Sequence, residues 1–335
     1  MSSKPAQDQR IAELTTPLGK DKLVLSRLDV AEGLSELFEI RVDCISEDDS
    51  VDLGQLIGKG ASVRLKTVAK KTRYFSGVVV EASWTGAEQY MHGYRLVMRP
   101  WTWLLSQATD SRIFQNKSVV DIIKDVFDKA GFGGQYEVKL SETYKPIEYC
   151  VQYRESHLDF VLRLMEQFGI YYFFTHEAGK HTMVLADSNS AHQPIPDLPE
   201  VTFVDMGERT RDDKEFLRDW ASERRFRTGK VVVKAFDFDK PTADLKTDKS
   251  SPGGYEKDSM EVFLYPNKYK KGEESDLGQK YVKATLESLQ AQDKRRYAGG
   301  NAPSIFPGGL TKLQKHKKGS ENSDYLVVSA HHTFT

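Results

Sequence analysis
The segment His176-Glu177-Ala178-Gly179-Lys180-His181 holds the residue types of a metal-dependent hydrolase. Zinc proteases place two histidines four residues apart on a helix, so that both reach one metal while the intervening glutamate acts as base. Here the histidines stand five apart, and Ala178-Gly179 reads as the turn of a hairpin between strands at 170–175 and 182–186. A hairpin is the expected structure and a zinc site is not. Glu155 and Asp159 form a second possible pair, since two carboxylates can share acid and base roles when burial separates their pKa values. Their place at the start of a helix favours a plainer role, as acids that suit the helix dipole and pair with Arg154 or Arg163.

The remaining candidates are weaker. His331 and His332 are adjacent on an expected strand, so their side chains face opposite ways, and both are expected at an exposed strand end. No G-x-S-x-G elbow or phosphate-binding loop occurs. The glycine-rich stretch 53–60 has the wrong spacing before Lys59 and leads into a strand. The basic run 312–318, with His316 inside it, lacks the stacking aromatics of a nucleic-acid site and reads as a solvated loop. Cys44 and Cys150 show neither metal-ligand nor redox spacing and are expected to be buried free thiols. The expectation is a protein with no catalytic residue, cofactor or metal.

What the elements must position is therefore association surface. Period-two alternation dominates residues 14–100, as in 37–42, 61–65, 74–82 and 94–98, and predicts an antiparallel sheet closing into a small barrel or sandwich. Ser118 is placed to cap a helix whose Val119, Ile122, Ile123, Val126 and Phe127 make one apolar face, with Gly131 as the stop. Ser156 is placed to cap a second, striped by Leu158, Val161, Leu162, Met165 and Phe168 and stopped at Gly169. The proline-bearing stretch 188–199 marks a boundary. Beyond it, a strand pair is expected at 220–227 and 230–238, an aromatic-rich segment at 262–269, and a helix from Ser275 to Gly299-Gly300. Two final strands at 310–313 and 325–329 flank the basic loop.

Composition agrees with a soluble, multi-domain globular chain. At 335 residues it exceeds what one core usually organises, and 39% hydrophobic with 11% aromatic residues excludes a disordered chain. The formal net charge of −1 gives no global attraction to nucleic acid or membrane. Residues 1–10 lack the apolar run of a signal peptide, and no window reaches the length of a membrane-spanning helix. Synthesis in the cytoplasm without a signal peptide is expected.

Several local strings together resemble a known family: Leu34-Ser35-Glu36-Leu37-Phe38-Glu39, Arg99-Pro100-Trp101-Thr102-Trp103-Leu104-Leu105, and Arg112-Ile113-Phe114-Gln115. The most specific is Glu148-Tyr149-Cys150-Val151-Gln152-Tyr153-Arg154-Glu155-Ser156, continuing through Phe160, Leu164 and Gly169. These are similar to the N-terminal region of VgrG, the valine-glycine repeat spike protein of the type VI secretion system. Lys317, where the family often has proline, and His157, where an acid is common, depart from it.

The resemblance implies a mainly β fold with α/β insertions (α+β), built on two related antiparallel β-barrel domains of the phage tail-hub type. The expected division is a first barrel at 1–110, an inserted α+β domain at 111–198, and a second barrel at 199–335 with a helical insertion near 270–300. Pro100, Trp101, Tyr153, Arg154, Glu155, Phe160, Leu164 and Gly169 are its signature residues, expected to be structural. The implied role is a homotrimeric hub joining a hexameric, Hcp-like tube protein to a spike, in contact with baseplate components and with effector or tip proteins. Export by the secretion machine follows. The OB-like barrel and β-helical needle of longer members have no counterpart in the 335 residues, so a hub fragment or a naturally short protein is expected. A hub from a contractile phage tail or related injection particle is the alternative.

Overall fold
The computed structural model describes residues 6–8, 10–68, 71–205, 207–208, 214–267 and 269–335; part of the stretch 1–10, and residue 268 of the aromatic segment, lie outside them. In chain order the elements begin with β1 (Ala12–Thr15), β2 (Val24–Gly33), β3 (Glu39–Ser46), β4 (Gly60–Lys66), β5 (Thr72–Glu88) and β6 (Met91–Arg99). There follow β7 (Thr109–Lys117), α1 (Val119–Lys129), β8 (Tyr136–Lys139), β9 (Ile147–Ser156), α2 (His157–Phe168), β10 (Tyr171–Glu177) and β11 (Lys180–Ala186). The chain continues through β12 (Gln193–Pro194), β13 (Glu200–Phe203), β14 (Phe216–Arg224), β15 (Lys230–Ala235), β16 (Lys246–Ser250) and β17 (Glu261–Asn267). It closes with α3 (Gln279–Gln290), β18 (Lys294–Asn301), β19 (Gly309–Gln314), β20 (Asp324–Leu326) and β21 (Ser329–Phe334). No helix among the described residues is long and apolar enough to cross a membrane.

Two compact units result. The first comprises Met1–Leu162, Tyr171–Arg218 and Gly300–Thr335; the second comprises Arg163–Ile170 and Asp219–Gly299. The first is organised by a seven-stranded sheet in the order β1-β4-β5-β6-β3-β2-β21, antiparallel throughout. Alternation supplies its buried face: Leu28, Val30, Ile40, Val42, Val63, Phe75, Leu96 and Met98 are all buried. Register shifts at Val79/Glu81 and Trp84/Gly86 put bulges into the long β5 strand, and such bulges increase local twist and bend the sheet.

Beside this sheet, β7 and β9 form a two-stranded ribbon that turns Phe114 and Cys150 inward. Both helices that follow ribbon strands start as the sequence predicts. Ser118 Oγ accepts from the Asp121 N–H at 3.1 Å, and Ser156 Oγ from the Asp159 N–H at 3.0 Å. Gly131, at φ +88°, ends the turn after α1, a left-handed geometry that glycine adopts without strain. The β10-β11 hairpin is antiparallel, and β8 joins β11 in parallel. Near the end of the unit, β19 lies between β12 and β13, parallel to both, while β20 pairs with it antiparallel, as expected for strands flanking the basic loop.

In the second unit β15 lies between antiparallel β16 and parallel β17. Val231, Val233 and Ala235 of β15 pack with Tyr281, Val282 and Leu286 of α3 and with Leu245 and Tyr269 in one core. Two expectations are corrected here. The segments 220–227 and 230–238 are not a hairpin: β14 and β15 belong to different sheets. Gly229 instead packs under another chain segment, its N–H donating to Asp258 O at 2.6 Å where a Cβ would meet that oxygen at 2.8 Å. Nor does the third helix reach Gly299-Gly300. A five-residue π turn, Glu274–Gly278, precedes α3, which stops at Gln290. The charged residues beyond it enter β18 after Asp293 is captured by Arg224 Nε at 3.0 Å and by the Tyr255 hydroxyl at 2.5 Å.

Candidate functional site
The hairpin brings the two histidines of the hydrolase-like segment face to face. His176 and His181 are cross-strand partners in the β10-β11 ladder, as are Glu177 and Lys180, and Gly179 turns the chain at φ +70°. Their rings lie 6.2 Å apart against Phe38, at 4.7 and 5.2 Å. Each imidazole is already engaged. His181 Nε2 accepts from the Trp101 N–H at 2.8 Å, which requires the neutral ring, and burial pushes its pKa down to about 3. His176 Nδ1 meets the Ser76 N–H at 3.1 Å, and its Nε2 lies 3.0 Å from Glu32 Oε1, close but off the line of a well-formed hydrogen bond. Among the described residues, no group of three or more His, Cys, Asp or Glu side chains converges to hold a metal ion.

Glu32 belongs to a buried ionic cluster that matches no sequence motif. Arg73, entering from β5, donates to Glu32 Oε2 at 2.6 Å, to Pro303 O at 2.6 Å and to Ile305 O, and its guanidinium lies 4.4 Å over the Phe75 ring. His332 from β21 completes the group, its Nε2 standing 3.0 Å from both Arg73 Nη1 and Ile305 O. Burial by itself would raise the Glu32 pKa, but the Arg73 charge and the close approach of the His176 ring outweigh it and hold the carboxyl down at about 2. For His332, burial and then Arg73 act in one direction and lower its pKa to about 4. The expected exposed pair is therefore corrected: His331 is exposed, whereas His332 faces inward because β21 pairs along β2 with the buried Val30 opposite it. One signal existed in the sequence. Glu32 and Arg73 sit in phase with the apolar stripes of their strands, two residues from Val30 and Phe75, where a charge must find a buried partner.

A cavity of about 170 Å³ adjoins this cluster, lined among others by Arg73, His176, Asp197 and Ser304. It is small beside the roughly 300–1,000 Å³ of small-molecule sites. Two of its polar side chains are held by neighbours: Asp197 is bound by Lys71 at 2.7 Å, and Ser304 donates twice to Glu215, at 2.7 and 3.0 Å.

The signature residues divide by environment. Pro100 precedes the 3-10 turn Trp101–Gln107. Trp101 is buried, stacked on Phe132 at 4.6 Å and edge-on to Phe127 at 5.0 Å. Phe160 stacks on Phe114 at 5.5 Å. Leu164 is buried, and Gly169, at φ +70°, leaves room for Ala284, whose Cβ a side chain would meet at 2.9 Å. Tyr153 is 65% exposed, with Arg154 over its ring at 5.2 Å. Arg154 itself has φ +52°, beside the register shift between Asp110 and Ser111 in the ribbon. Glu155 lies opposite Asp110. The Asp159 carboxylate accepts from Ser156 Oγ at 2.7 Å, and the Asp159 N–H donates back to that oxygen, in a reciprocal cap. At the departure position 157, His157 Nδ1 faces Arg112 and Gln152 at 3.2 and 3.1 Å. Cys44 and Cys150 are buried thiols outside any disulfide, and burial raises the Cys44 thiol to about 12.

Charges that dock strands and histidines that hold backbone groups, within an antiparallel sheet flanked by capped helices, define a mainly β scaffold built for packing. The chain belongs to the phage tail baseplate hub (GPD) family, whose sequence profile matches residues 31–335. It is similar to two type VI secretion system spike proteins of Pseudomonas aeruginosa, VgrG1b and VgrG1a, each 36% identical over 97% and 96% of the chain. It spans about half the length of these curated relatives, 43% and 49%. Among solved structures, the E. coli c3393 protein, a component of the type VI secretion system with structural similarity to T4 tail proteins gp27 and gp5, shares the fold. The two align with a TM-score of 0.71 at 16% identity, covering 96% of this chain and 73% of that one.

Proposed function
We propose that the chain is the hub portion of a type VI secretion spike, assembling as a homotrimer that joins a hexameric, Hcp-like tube protein to a threefold spike. The observation that carries this reading is the hub-family match over residues 31–335 together with 36% identity to secretion spike proteins along nearly the whole chain. On this reading the stretches 1–110 and 199–335 supply two barrels per subunit, so that three subunits offer six to the tube, with 111–198 inserted between them. Contacts with baseplate components and with effector or tip proteins belong to the same proposal. So does assembly in the cytoplasm followed by export through the machine.

The chain acts by shape, with no catalysis of its own, and its signature residues are structural. Trp101, Phe160, Leu164 and Gly169 serve internal packing, which agrees with their burial and close contacts. Light scattering on the purified chain across a wide concentration range tests the assembly. A mass of three chains that binds hexameric tube protein is expected. A strict monomer that fails to bind the tube protein at any concentration overturns the proposal.

A further inference from the structure
The last strand of the described chain is held in an unusual way. β21 is an edge of the seven-stranded sheet, with β2 on one side only. Its burial depends heavily on one titratable ring. His332 Nε2 lies 3.0 Å from a cationic donor, Arg73 Nη1, and 3.0 Å from a carbonyl acceptor, Ile305 O. A single ring nitrogen can serve only one of them. With Nε2 unprotonated the ring accepts from Arg73; with both ring nitrogens protonated, Nε2 donates to Ile305 and the imidazolium places a second positive charge beside the guanidinium.

We propose that His332 is the trigger of an acid-released latch that frees β21 from the sheet of the first unit. The groups facing the ring are Arg73 from β5, Glu32 from β2 and the Ile305 carbonyl, with Phe75 packed 5.9 Å away. His176 from β10 approaches from the far side of Glu32, and Glu215 acts on Arg73 electrostatically. Glu32 offers one negative charge for two cations, and it is already paired with Arg73 at 2.6 Å. The exposed His331 turns away on the same strand. Outside the cluster, little else anchors β21 besides its ladder to β2 and the Thr333 hydroxyl donating to Asp29 at 2.8 Å.

The consequence is a local opening driven by one proton. A free strand would carry His332 at its ordinary value of 6.5, against about 4 when latched. The proton therefore favours the open state, and the opening equilibrium should rise about 80-fold in all between pH 6.5 and 4, at a slope approaching tenfold per unit midway. Native-state hydrogen exchange, expressed as protection factors, tests this. Amides of β21 should lose protection about 15-fold from pH 6.5 to 5 while staying less protected than those of the β3-β6 ladder throughout, and H332Q should abolish that loss in β21. Constant protection in β21, the same slope in H332Q, or β21 protection equal to that of the β3-β6 ladder at every pH each overturns the latch. Should H332Q fail to fold, the ring resonances of His332 in the unaltered chain decide: a titration midpoint well below 6 supports the latch, and one at 6 or above overturns it.

Discussion
At the scale of single residues, the decisive chemistry is charge placed where apolar side chains belong. Arg73 and Glu32 pair with side chains only 11% and 4% exposed, and a charge in such a place is tolerated only while its partner stays. R73M should therefore destabilise the first unit by about 3–5 kcal/mol, leaving the Glu32 carboxylate buried without its counter-charge. The double variant E32M/R73M should recover most of that loss, and urea unfolding of the three proteins measures both. The hydrolase-like residues were easy to see and their partners were not. His176 and His181 are near neighbours in sequence, so the hairpin that aligns them was legible from Ala178-Gly179. Glu32, Arg73 and His332 come from three distant strands, and their meeting depends on which strands pair.

At the scale of elements, what is encoded locally was readable. Ser118 and Ser156 cap the helices they precede, and the stripes of α1 and α2 are the faces that pack. Propensity alone extends α3 past Gln290 into charged residues that favour a helix, while Asp293 finds Arg224 and Tyr255 only in the folded unit. Strand direction was equally hidden: alternation reports which face is buried, not whether β13 runs parallel to β19. Gly169 shows how an element's end can be fixed by its neighbour. At φ +70° and with Ala284 Cβ 2.9 Å from any added side chain, G169A should cost more than 1 kcal/mol, through both backbone strain and contact. A lowered thermal midpoint with α2 and α3 otherwise intact by circular dichroism is the expected result.

At the scale of the whole molecule, buried ionisable groups make stability depend on pH. His181 is held down to about 3 and His332 to about 4, both by burial, and Glu32 to about 2 by Arg73 and His176 acting against burial. In each case the folded value is below the unfolded one, so the unfolded chain binds more protons at acid pH. Their contribution is present above the unfolded values and is lost as the pH falls, from about 6.5 for the histidines and from about 4.5 for Glu32. Unfolding free energy should drop by on the order of 5 kcal/mol between pH 7 and pH 4. Denaturant melts at several pH values measure it, and a flat profile would contradict the neutral state assigned to His181.

The pairing of β2 with β21 also bears on how the chain is made. Thr333 reaches back to Asp29 across 304 residues, so the second strand waits at the edge of its sheet until the far end of the described chain has been translated. At about 5–20 residues per second that wait lasts on the order of tens of seconds. During it the nascent sheet exposes one open β edge, and Glu32 and Arg73 lack His332 beside them. A ribosome stalled before residue 329 should thus carry an unfinished sheet that recruits chaperones, whereas one released after residue 334 should not.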